Sequence, residues 1–217
     1  MREEVIAKIQ EEKIIAIVRG VGAEACRKVA DALYEGGIRL MEITFDQKDP
    51  ASFDATAGAI RAIGEAYAGR MLVGAGTVTS VELVELAASA GAKYIISPDV
   101  NVDVIRRTRE LGMVSLPGAM TPTEVMTAHN AGADFVKLFP VGNLGIPYVK
   151  AIRAPISHVK LLAVGGVNED NVAAFLHAGL VGAGVGGNLA NKKWIEAGEY
   201  HKITETARKL VDAAKNA

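Results

Sequence analysis

Hydrophobic and polar positions follow a repeated order along this chain: an amphipathic stretch, a turn of small residues, then a short apolar run. Apolar residues three and four apart indicate helices, whereas short runs rich in Val and Ile bounded by glycine indicate strands. The pattern predicts strands within the segments 14–20, 35–45, 71–78, 90–98, 111–118, 131–140, 158–167 and 178–187. It predicts helices at 23–35, 50–68, 80–90, 101–111, 121–131, 145–154, 169–178 and 199–215. Several of these helices follow residue types that cap helix N-termini, namely Ser80, Asn101, Thr121 and Asn168.

About eight strands alternating with eight helices predict an α/β fold, a single (β/α)8 TIM barrel of parallel strands. A further helix precedes the first strand and could close the barrel floor. We therefore expect one domain over 1–217, with an N-terminal helix at 1–13 and the barrel at 14–217. The rival is a doubly wound open sheet, because GAGVGG at 182–187 matches a dinucleotide-binding fingerprint. That fingerprint belongs to a first βαβ unit, and here only a helix follows, so the closed barrel is favoured.

Charge and composition exclude several classes of function. The 217 residues carry 24 Lys and Arg against 25 Asp and Glu, and the basic residues are scattered, so we expect no nucleic-acid or membrane partner. Cys26 is the only cysteine and the first residues lack a signal-peptide pattern, so a reducing, cytoplasmic location is expected. The four histidines are far apart and match no metal-ligand spacing. We expect neither a metal nor a cofactor.

One lysine stands inside an apolar run, FVKLFP at 135–140, that otherwise has the pattern of a buried strand. Burial lowers the pKa of a lysine, and a neutral amine is a nucleophile that condenses with ketones. Lys137 is therefore the candidate for a covalent iminium (Schiff base). The alternative is a structural lysine that reaches solvent at the barrel mouth or pairs with Glu42.

A glutamate poses the same problem in LMEITF at 40–45, where strand alternation places Leu40, Glu42 and Thr44 on one face. Burial raises the pKa of a carboxyl group, so Glu42 is a candidate proton carrier near neutral pH. The alternative is a structural partner of a backbone or lysine donor. Because Schiff-base chemistry needs both an amine and a proton shuttle, the two residues together favour a catalytic interpretation.

Two further strand ends offer groups that bind anions. Arg19 ends the first strand, and its guanidinium could hold a carboxylate through two hydrogen bonds, although an exposed arginine at a strand end is equally common. Thr77, in GAGTV, could add a hydroxyl to the same anion. The glycines beside it, Gly74 and Gly76, are also explained by close packing of strands.

Paired glycines end the predicted seventh and eighth strands, at Gly165–Gly166 and Gly186–Gly187, and Asn188 follows the second pair. Backbone amides at these strand ends, each beside a helix N-terminus, predict a phosphate site, which barrels of this kind commonly place there. The alternative is tight packing at barrel corners. Two other residues are expected to line the pocket: Pro117, in the loop 115–124, and Phe139, next to the lysine strand.

These motifs together resemble the 2-keto-3-deoxy-6-phosphogluconate (KDPG) aldolases, including the 4-hydroxy-2-oxoglutarate and galactonate-pathway (KDPGal) members. The resemblance covers nearly the whole chain and rests on EITF, GAGTV, ISP at 96–98, LPG…TPTE, KLFP, GGV and GVGG. It implies a class I aldolase on a (β/α)8 barrel, a homotrimer without a metal. It also implies an Entner–Doudoroff function, cleavage of the keto acid to pyruvate and glyceraldehyde 3-phosphate.

The resemblance assigns a role to each candidate residue. It implies Lys137 as the Schiff-base lysine, Glu42 as general acid and base, and Arg19 with Thr77 as the site of the pyruvyl carboxylate. It implies a phosphate cradle at the glycine pairs, and Pro98 of ISP is expected in the pocket. The chain departs from many members in having Asp46 for an arginine, Val164 for a threonine and Asn188 for a serine.

The sequence therefore predicts a retro-aldol lyase acting on a 6-phosphorylated 2-keto-3-deoxy sugar acid. KDPGal or 4-hydroxy-2-oxoglutarate is the alternative substrate, because the VGGV of this chain also occurs in the galactonate branch. Another enzyme class would be an epimerase that transfers protons at Glu42 without a covalent adduct. A non-enzyme alternative is a phosphate-binding or assembly barrel in which Lys137 and Glu42 are relics.

Overall fold

The computed structural model describes residues 2–217, so the predicted helix boundary at Met1 lies outside the described residues. Nine strand segments form one parallel sheet in the order β5-β4-β3-β2-β1-β9-β8-β7-β6. The segments are β1 (Ile14–Val18), β2 (Leu40–Thr44), β3 (Leu72–Gly76), β4 (Tyr94–Ile96), β5 (Val114–Leu116), β6 (Gly118–Ala119), β7 (Val136–Leu138), β8 (Leu161–Val164) and β9 (Gly182–Val185). Parallel strands in this order, with helices between them, confirm the TIM-barrel prediction.

The barrel closes through a strand that is interrupted at Pro117. The two edge segments of the sheet, β5 and β6, are consecutive in sequence and separated only by this proline. The same strand also bonds to β7, because Lys137 N–H donates to Pro117 O at 2.8 Å and Phe135 N–H donates to Ser115 O at 3.3 Å. Proline has no N–H for a ladder, which accounts for nine segments where eight strands were predicted.

Helices link successive strands and cover the outside of the barrel. They are α1 (Arg2–Glu12), α2 (Ala23–Glu35), α3 (Phe53–Ala66), α4 (Val81–Ser89), α5 (Val102–Glu110), α6 (Pro122–Asn130), α7 (Val141–Arg153), α8 (Val172–His177), α9 (Lys192–Glu196) and α10 (Tyr200–Lys215). Ser80, Asn101 and Thr121 cap their helices as predicted, each accepting a hydrogen bond from a backbone amide two or three residues later. Within residues 2–217, no helix has the length and apolar character needed to cross a membrane.

The helices differ from the prediction in several places. Helix α8 begins at Val172 rather than at 169, because the Asn168 side chain accepts hydrogen bonds from the amides of Asp170 and Asn171 and shapes a turn before the helix. Helix α7 begins at Val141, four residues early, and bends at Gly145, whose φ is 73°. Helix α9 was not predicted, since its five residues are too few for a periodic signal.

Two apolar cores lie on the two sides of the sheet. The larger core joins the outer faces of the strands to the helices and contains Met41, Ile43, Val136 and Leu138. The smaller core fills the barrel interior; Val5, Ile6 and Ile9 of α1 pack in it against Ile15, Leu40, Tyr94, Phe135 and Leu162. The N-terminal helix therefore closes the barrel floor, as predicted. Because α1 fills the N-terminal end of the barrel, the barrel is open at the C-terminal ends of its strands.

Candidate active site

Lys137 and Glu42 face each other across the barrel interior. Lys137 lies on β7 and Glu42 lies on β2. With β5 and β6 counted as one strand, three strands lie between β7 and β2 in either direction around the barrel, so the two strands are on opposite sides of it. Glu42 is 1% exposed and Lys137 is 8% exposed. Both side chains line one small cavity whose other walls are almost entirely apolar. The predicted inward orientation of both residues is therefore present.

Glu42 is a carboxyl group in a dry, apolar setting. Burial raises its pKa to about 7, and the positive charges of Lys137 and Arg19 partly oppose that rise. Its Oε2 atom has no hydrogen-bond partner among the described residues. A carboxyl group poised near neutral pH can both donate and accept a proton in one catalytic cycle.

Lys137 has no acceptor for its ammonium hydrogens among the described residues. Within residues 2–217 its Nζ forms no ion pair or hydrogen bond, and it lies 4.9 Å from the centroid of the Phe139 ring. Burial lowers the pKa of this amine; the Glu42 carboxylate opposes the shift, and the Arg19 guanidinium adds to it. The structural alternative, a direct Lys137–Glu42 ion pair, is absent from the described residues. Lys137 is therefore an unpaired, nearly buried amine.

Above the small cavity lies a wider one of about 430 Å³ that opens at the C-terminal ends of the strands. Lys137, Val164, Ile17 and Gly184 line both cavities, so the two adjoin. The wider cavity contains most of the residues that the sequence singled out, namely Arg19, Thr77, Pro98, Phe139, Gly165, Gly166, Gly186, Gly187 and Asn188. Closure of the barrel thus gathers residues from six of the predicted strand ends.

Pro117 does not line either cavity, so its prediction as a pocket residue is wrong. It is buried in the barrel wall, where its carbonyl accepts the Lys137 N–H at 2.8 Å. The proline therefore contacts the backbone of the lysine strand rather than the cavity. Its position within a strand, and not in a loop, explains the error.

Arg19 and Thr77 reach the wider cavity from neighbouring parts of the barrel. The Arg19 side chain is exposed, and its charge acts on both Glu42 and Lys137. Thr77 has a φ of 57°, in the left-handed region that threonine rarely adopts. Its hydroxyl donates to no atom of the described chain. A guanidinium and a free hydroxyl beside the amine can hold an anionic group of a ligand.

The glycine pair after β8 has a packing role. Gly165 and Gly166 have φ angles of 90° and 77°, and a Cβ on Gly165 would stand 3.2 Å from Phe139 and Pro140. The α7 residue Gly142 also approaches this pair closely, because a Cβ on Gly142 would stand 2.9 Å from Gly166 Cα. Packing thus explains these two glycines without a ligand.

The pair after β9 is different. A Cβ on Gly187 would meet no atom within 4 Å, and Gly187 is exposed at the cavity. Asn188 Nδ2 donates to Val167 O at 2.9 Å, which ties this loop to the one that follows β8. The sequence predicted a helix N-terminus beside each pair, but the helices that follow the two pairs begin only at residues 172 and 192. The residues that line the cavity here lie in loops and not in the first turn of a helix.

Three residues that shape this site were not predicted as site residues. Gly76 leaves room for the Glu42 carboxyl, because a Cβ there would stand 2.8 Å from Glu42 Cδ. Gly74 likewise leaves room for the ring of Tyr94, because a Cβ on Gly74 would stand 2.7 Å from Tyr94 Cζ. Gln47 donates a hydrogen bond to Thr77 O at 2.9 Å. The alternate glycines of GAGTV were visible as a close-packing signal, whereas nothing local marks Gln47.

The chain matches known proteins along most of its length. The family model described as KDPG and KHG aldolase matches residues 5–206. The chain is 37% identical to the 2-dehydro-3-deoxy-6-phosphogalactonate aldolase of Escherichia coli K12 over 81% of this chain and 83% of that protein. It is 28% identical to the 2-dehydro-3-deoxy-phosphogluconate aldolase of Haemophilus influenzae over 98% of both chains.

Two solved structures share the fold. A native KDPGal structure superposes with a TM-score of 0.83 at 34% identity and 94% coverage of both chains. The KDPG aldolase of Legionella pneumophila, with pyruvate captured as a covalent carbinolamine, superposes with a TM-score of 0.84 at 25% identity, covering 94% of this chain and 97% of that one. The chain belongs to the KDPG and KHG aldolase family.

Proposed function

We propose that this protein is a class I aldolase that cleaves a 6-phosphorylated 2-keto-3-deoxy sugar acid to pyruvate and glyceraldehyde 3-phosphate. The observation that carries the proposal is the unpaired amine of Lys137 opposite a buried carboxyl group, Glu42, whose pKa is about 7. The related Legionella protein, captured with pyruvate as a covalent carbinolamine, supports the same type of intermediate here.

In the proposed reaction the lone pair of Lys137 Nζ forms a bond to the C2 ketone carbon. The resulting carbinolamine loses water, with the proton for the leaving hydroxyl coming from Glu42, and an iminium remains. The C3–C4 bond then breaks as Glu42, directly or through water, takes the proton of the C4 hydroxyl. The bonding electrons move to C3 and form an enamine, and C4 leaves as the aldehyde of glyceraldehyde 3-phosphate.

The same carboxyl group completes the cycle. Glu42 returns its proton to C3 of the enamine, which restores an iminium, now of pyruvate. Water adds to C2 and loses a proton to Glu42; the C–N bond then breaks as the C2 hydroxyl proton moves to Nζ and the ketone re-forms, which releases pyruvate and the free amine of Lys137. One carboxyl group with a pKa near 7 can serve both directions, because its acid and base forms are both populated at neutral pH.

The rest of the cavity accounts for the two ends of the substrate. Arg19 and Thr77 would hold the carboxylate beside the ketone, through a guanidinium and a free hydroxyl. The turns after β8 and β9, with the exposed Gly187, would bind the phosphate through backbone amides. Pro98 and Phe139 would form apolar walls between them. No metal or cofactor has a part in these steps.

The configuration of the substrate at C4 gives a second candidate. KDPG and KDPGal differ only at this carbon and give the same two products. The relatives named as galactonate-pathway aldolases are 37% and 38% identical to this chain, whereas the gluconate-pathway ones are 28% to 31% identical. This difference supports KDPGal as the preferred epimer. The unphosphorylated 4-hydroxy-2-oxoglutarate is the remaining alternative.

Assembly and location are also proposals. A homotrimer is what membership of this family implies, and a sedimentation experiment would test it against three times the chain mass of 22.8 kDa. A reducing, cytoplasmic location is supported by the single cysteine, because Cys26 cannot form an internal disulfide. For KDPG, the pathway would be the Entner–Doudoroff pathway.

The test is incubation of the protein with pyruvate and borohydride, followed by peptide mass spectrometry, and then an assay of both C4 epimers. We expect a reduced pyruvyl adduct on Lys137 and faster cleavage of KDPGal than of KDPG. An adduct with the reverse preference would support the Entner–Doudoroff substrate. Folded protein without an adduct would contradict the aldolase proposal and favour an epimerase or a non-catalytic barrel.

A further inference from the structure

The segment that carries Thr77 is held in place by hydrogen bonds from four residues of two neighbouring segments. Each carbonyl from residue 76 to residue 79 accepts a hydrogen bond from a different residue: Gly76 O from Phe45 N, Thr77 O from Gln47 Nε2, Val78 O from Ser97 Oγ and Thr79 O from Asn101 Nδ2. Such complete pairing fixes the backbone of a loop beside the cavity. The loop is therefore shaped by the chain that follows β2 and β4, the strands that flank β3.

Thr77 needs this support because its backbone conformation is unfavourable. A β-branched residue with φ of 57° is strained and persists only where surrounding contacts impose it. The conformation determines where the Thr77 side chain stands at the cavity. Loss of a contact that imposes it would let the loop relax and displace the hydroxyl.

Gln47 makes the contact to Thr77 itself. Its Nε2 donates to Thr77 O at 2.9 Å, and its Oε1 accepts from Thr79 Oγ1 at 3.1 Å, so both ends of the amide are used and its orientation is determined. Gln47 is exposed and does not line the cavity. Neither apolar burial nor contact with a ligand accounts for these two hydrogen bonds; their effect is to clamp the loop on both sides of Val78.

We infer that Gln47 is a positioning residue that holds Thr77 in its left-handed conformation so that the Thr77 hydroxyl meets the carboxylate of the keto acid. The inference rests on the proposed function, since it needs a carboxylate at Thr77. Gln47 follows Glu42 by five residues in the same strand and its adjoining loop, so one stretch of chain presents the proton carrier and fixes part of the carboxylate site.

The experiment measures how borohydride trapping on Lys137 depends on pyruvate concentration. We expect Gln47→Ala to raise the half-saturating pyruvate concentration about fivefold to tenfold, which is the effect of about one hydrogen bond. In a retro-aldol assay, its kcat should stay within about twofold of the wild-type value. Gln47→Glu keeps the acceptor for Thr79 but has no donor for Thr77 O, and it should act in the same direction. Gln10→Ala, at an exposed glutamine of α1 that accepts from Lys160 at 3.0 Å, is the matched control and should change neither quantity.

A double-mutant cycle tests the route through Thr77. In a Thr77→Ala background, Gln47→Ala should change the half-saturating concentration by less than about twofold, because the hydroxyl that it positions is gone. An unchanged value in Gln47→Ala alone, or an equal shift in both backgrounds, would overturn the inference while the proposed function stands. Wild-type protein without any adduct would contradict the proposed function itself, and this inference with it.

Discussion

Gly76 is packed directly against the carboxyl group of Glu42. The two residues lie on neighbouring strands, and a Cβ on Gly76 would stand 2.8 Å from both Glu42 Cδ and Thr44 Cγ2. Two residues earlier, Gly74 gives the same clearance to the ring of Tyr94, whose hydroxyl donates to Met41 O at 2.7 Å. One strand thus leaves space for a catalytic candidate at one glycine and for a core aromatic ring at the other.

Alanine at these two glycines should therefore have different effects. Gly76→Ala displaces the Glu42 carboxyl group and also meets the Thr44 methyl, so we expect turnover to fall about 100-fold, at a smaller cost in the free energy of unfolding than at Gly74. Gly74→Ala instead meets a fully buried ring, and overpacking should reduce stability by about 1–3 kcal/mol. Urea unfolding and a retro-aldol assay of both variants give the comparison. Wild-type turnover in Gly76→Ala would mean that the position of Glu42 is unimportant.

Stability should depend on pH through Glu42. Burial raises the pKa of this carboxyl group from 4.5 to about 7, so between these pH values the folded chain holds a proton that the unfolded chain has released. Stability therefore falls as pH rises through this window, by about 3 kcal/mol at most. The Glu42→Gln variant should not show this decrease in stability. We therefore expect it to be more stable than wild type above pH 7 but not near pH 4.5.

Urea unfolding at one pH on each side of the window tests this expectation. Glu205→Gln, on the exposed side of α10, is the control and should leave the difference between the two pH values unchanged. A Glu42→Gln variant that is equally destabilised at both pH values would indicate a structural carboxylate. The same variant should lose most of its turnover, which would separate the stability cost of Glu42 from its function.

The trapping reaction should report the pKa of Lys137. Only the free amine attacks a ketone, so the initial rate of pyruvate trapping rises as pH passes through this pKa. Burial lowers the pKa and the charge of Glu42 opposes that shift. Glu42→Gln removes the opposing charge, and we expect the rising limb to move to lower pH. Movement to higher pH would contradict the assigned electrostatic coupling.

Arg19 should distinguish a carboxylate from a neutral group of the same shape. We expect wild-type protein to trap pyruvate at a concentration well below that needed for pyruvamide. Arg19→Met should raise the half-saturating pyruvate concentration about 10- to 100-fold and leave that of pyruvamide nearly unchanged, because a hydrogen bond to a charged group is lost. Equal effects on both ligands would show that Arg19 does not bind the carboxylate.

The two glycine loops should respond differently to side chains. Gly187→Asp adds a negative charge where a Cβ has open space, so we expect KM to rise at least about tenfold for the phosphorylated sugar acid and to stay unchanged for the unphosphorylated hydroxy-oxoglutarate. Gly187→Ala is the uncharged control. Gly165→Ala should lower stability by about 1–3 kcal/mol, because of its φ of 90° and the nearby Phe139 and Pro140. Equal KM changes for both substrates in Gly187→Asp would place the phosphate elsewhere.

Local patterns in the sequence determined the elements and the direction of their side chains. Strand alternation placed Glu42 with Leu40 on one face of the strand and Met41 with Ile43 on the other. In the structure Leu40 belongs to the core inside the barrel, and Met41 and Ile43 belong to the core outside it. Capping residues located the starts of α4, α5 and α6. These features depend on residues a few positions apart, so a single sequence contains the information for them. The roles proposed for Lys137 and Glu42 were likewise suggested by the sequence, because both are charged residues within apolar strands.

Only the tertiary structure decided which groups meet and which remain apart. Lys137 and Glu42 share a cavity without an ion pair, Pro117 lies in the wall rather than in the pocket, and Gln47 reaches Thr77, 30 residues away. These relationships depend on barrel closure, which brings together strands that are distant in sequence. A contact across the barrel leaves no periodic trace in either segment, because each residue type there is also compatible with an exposed or packed position.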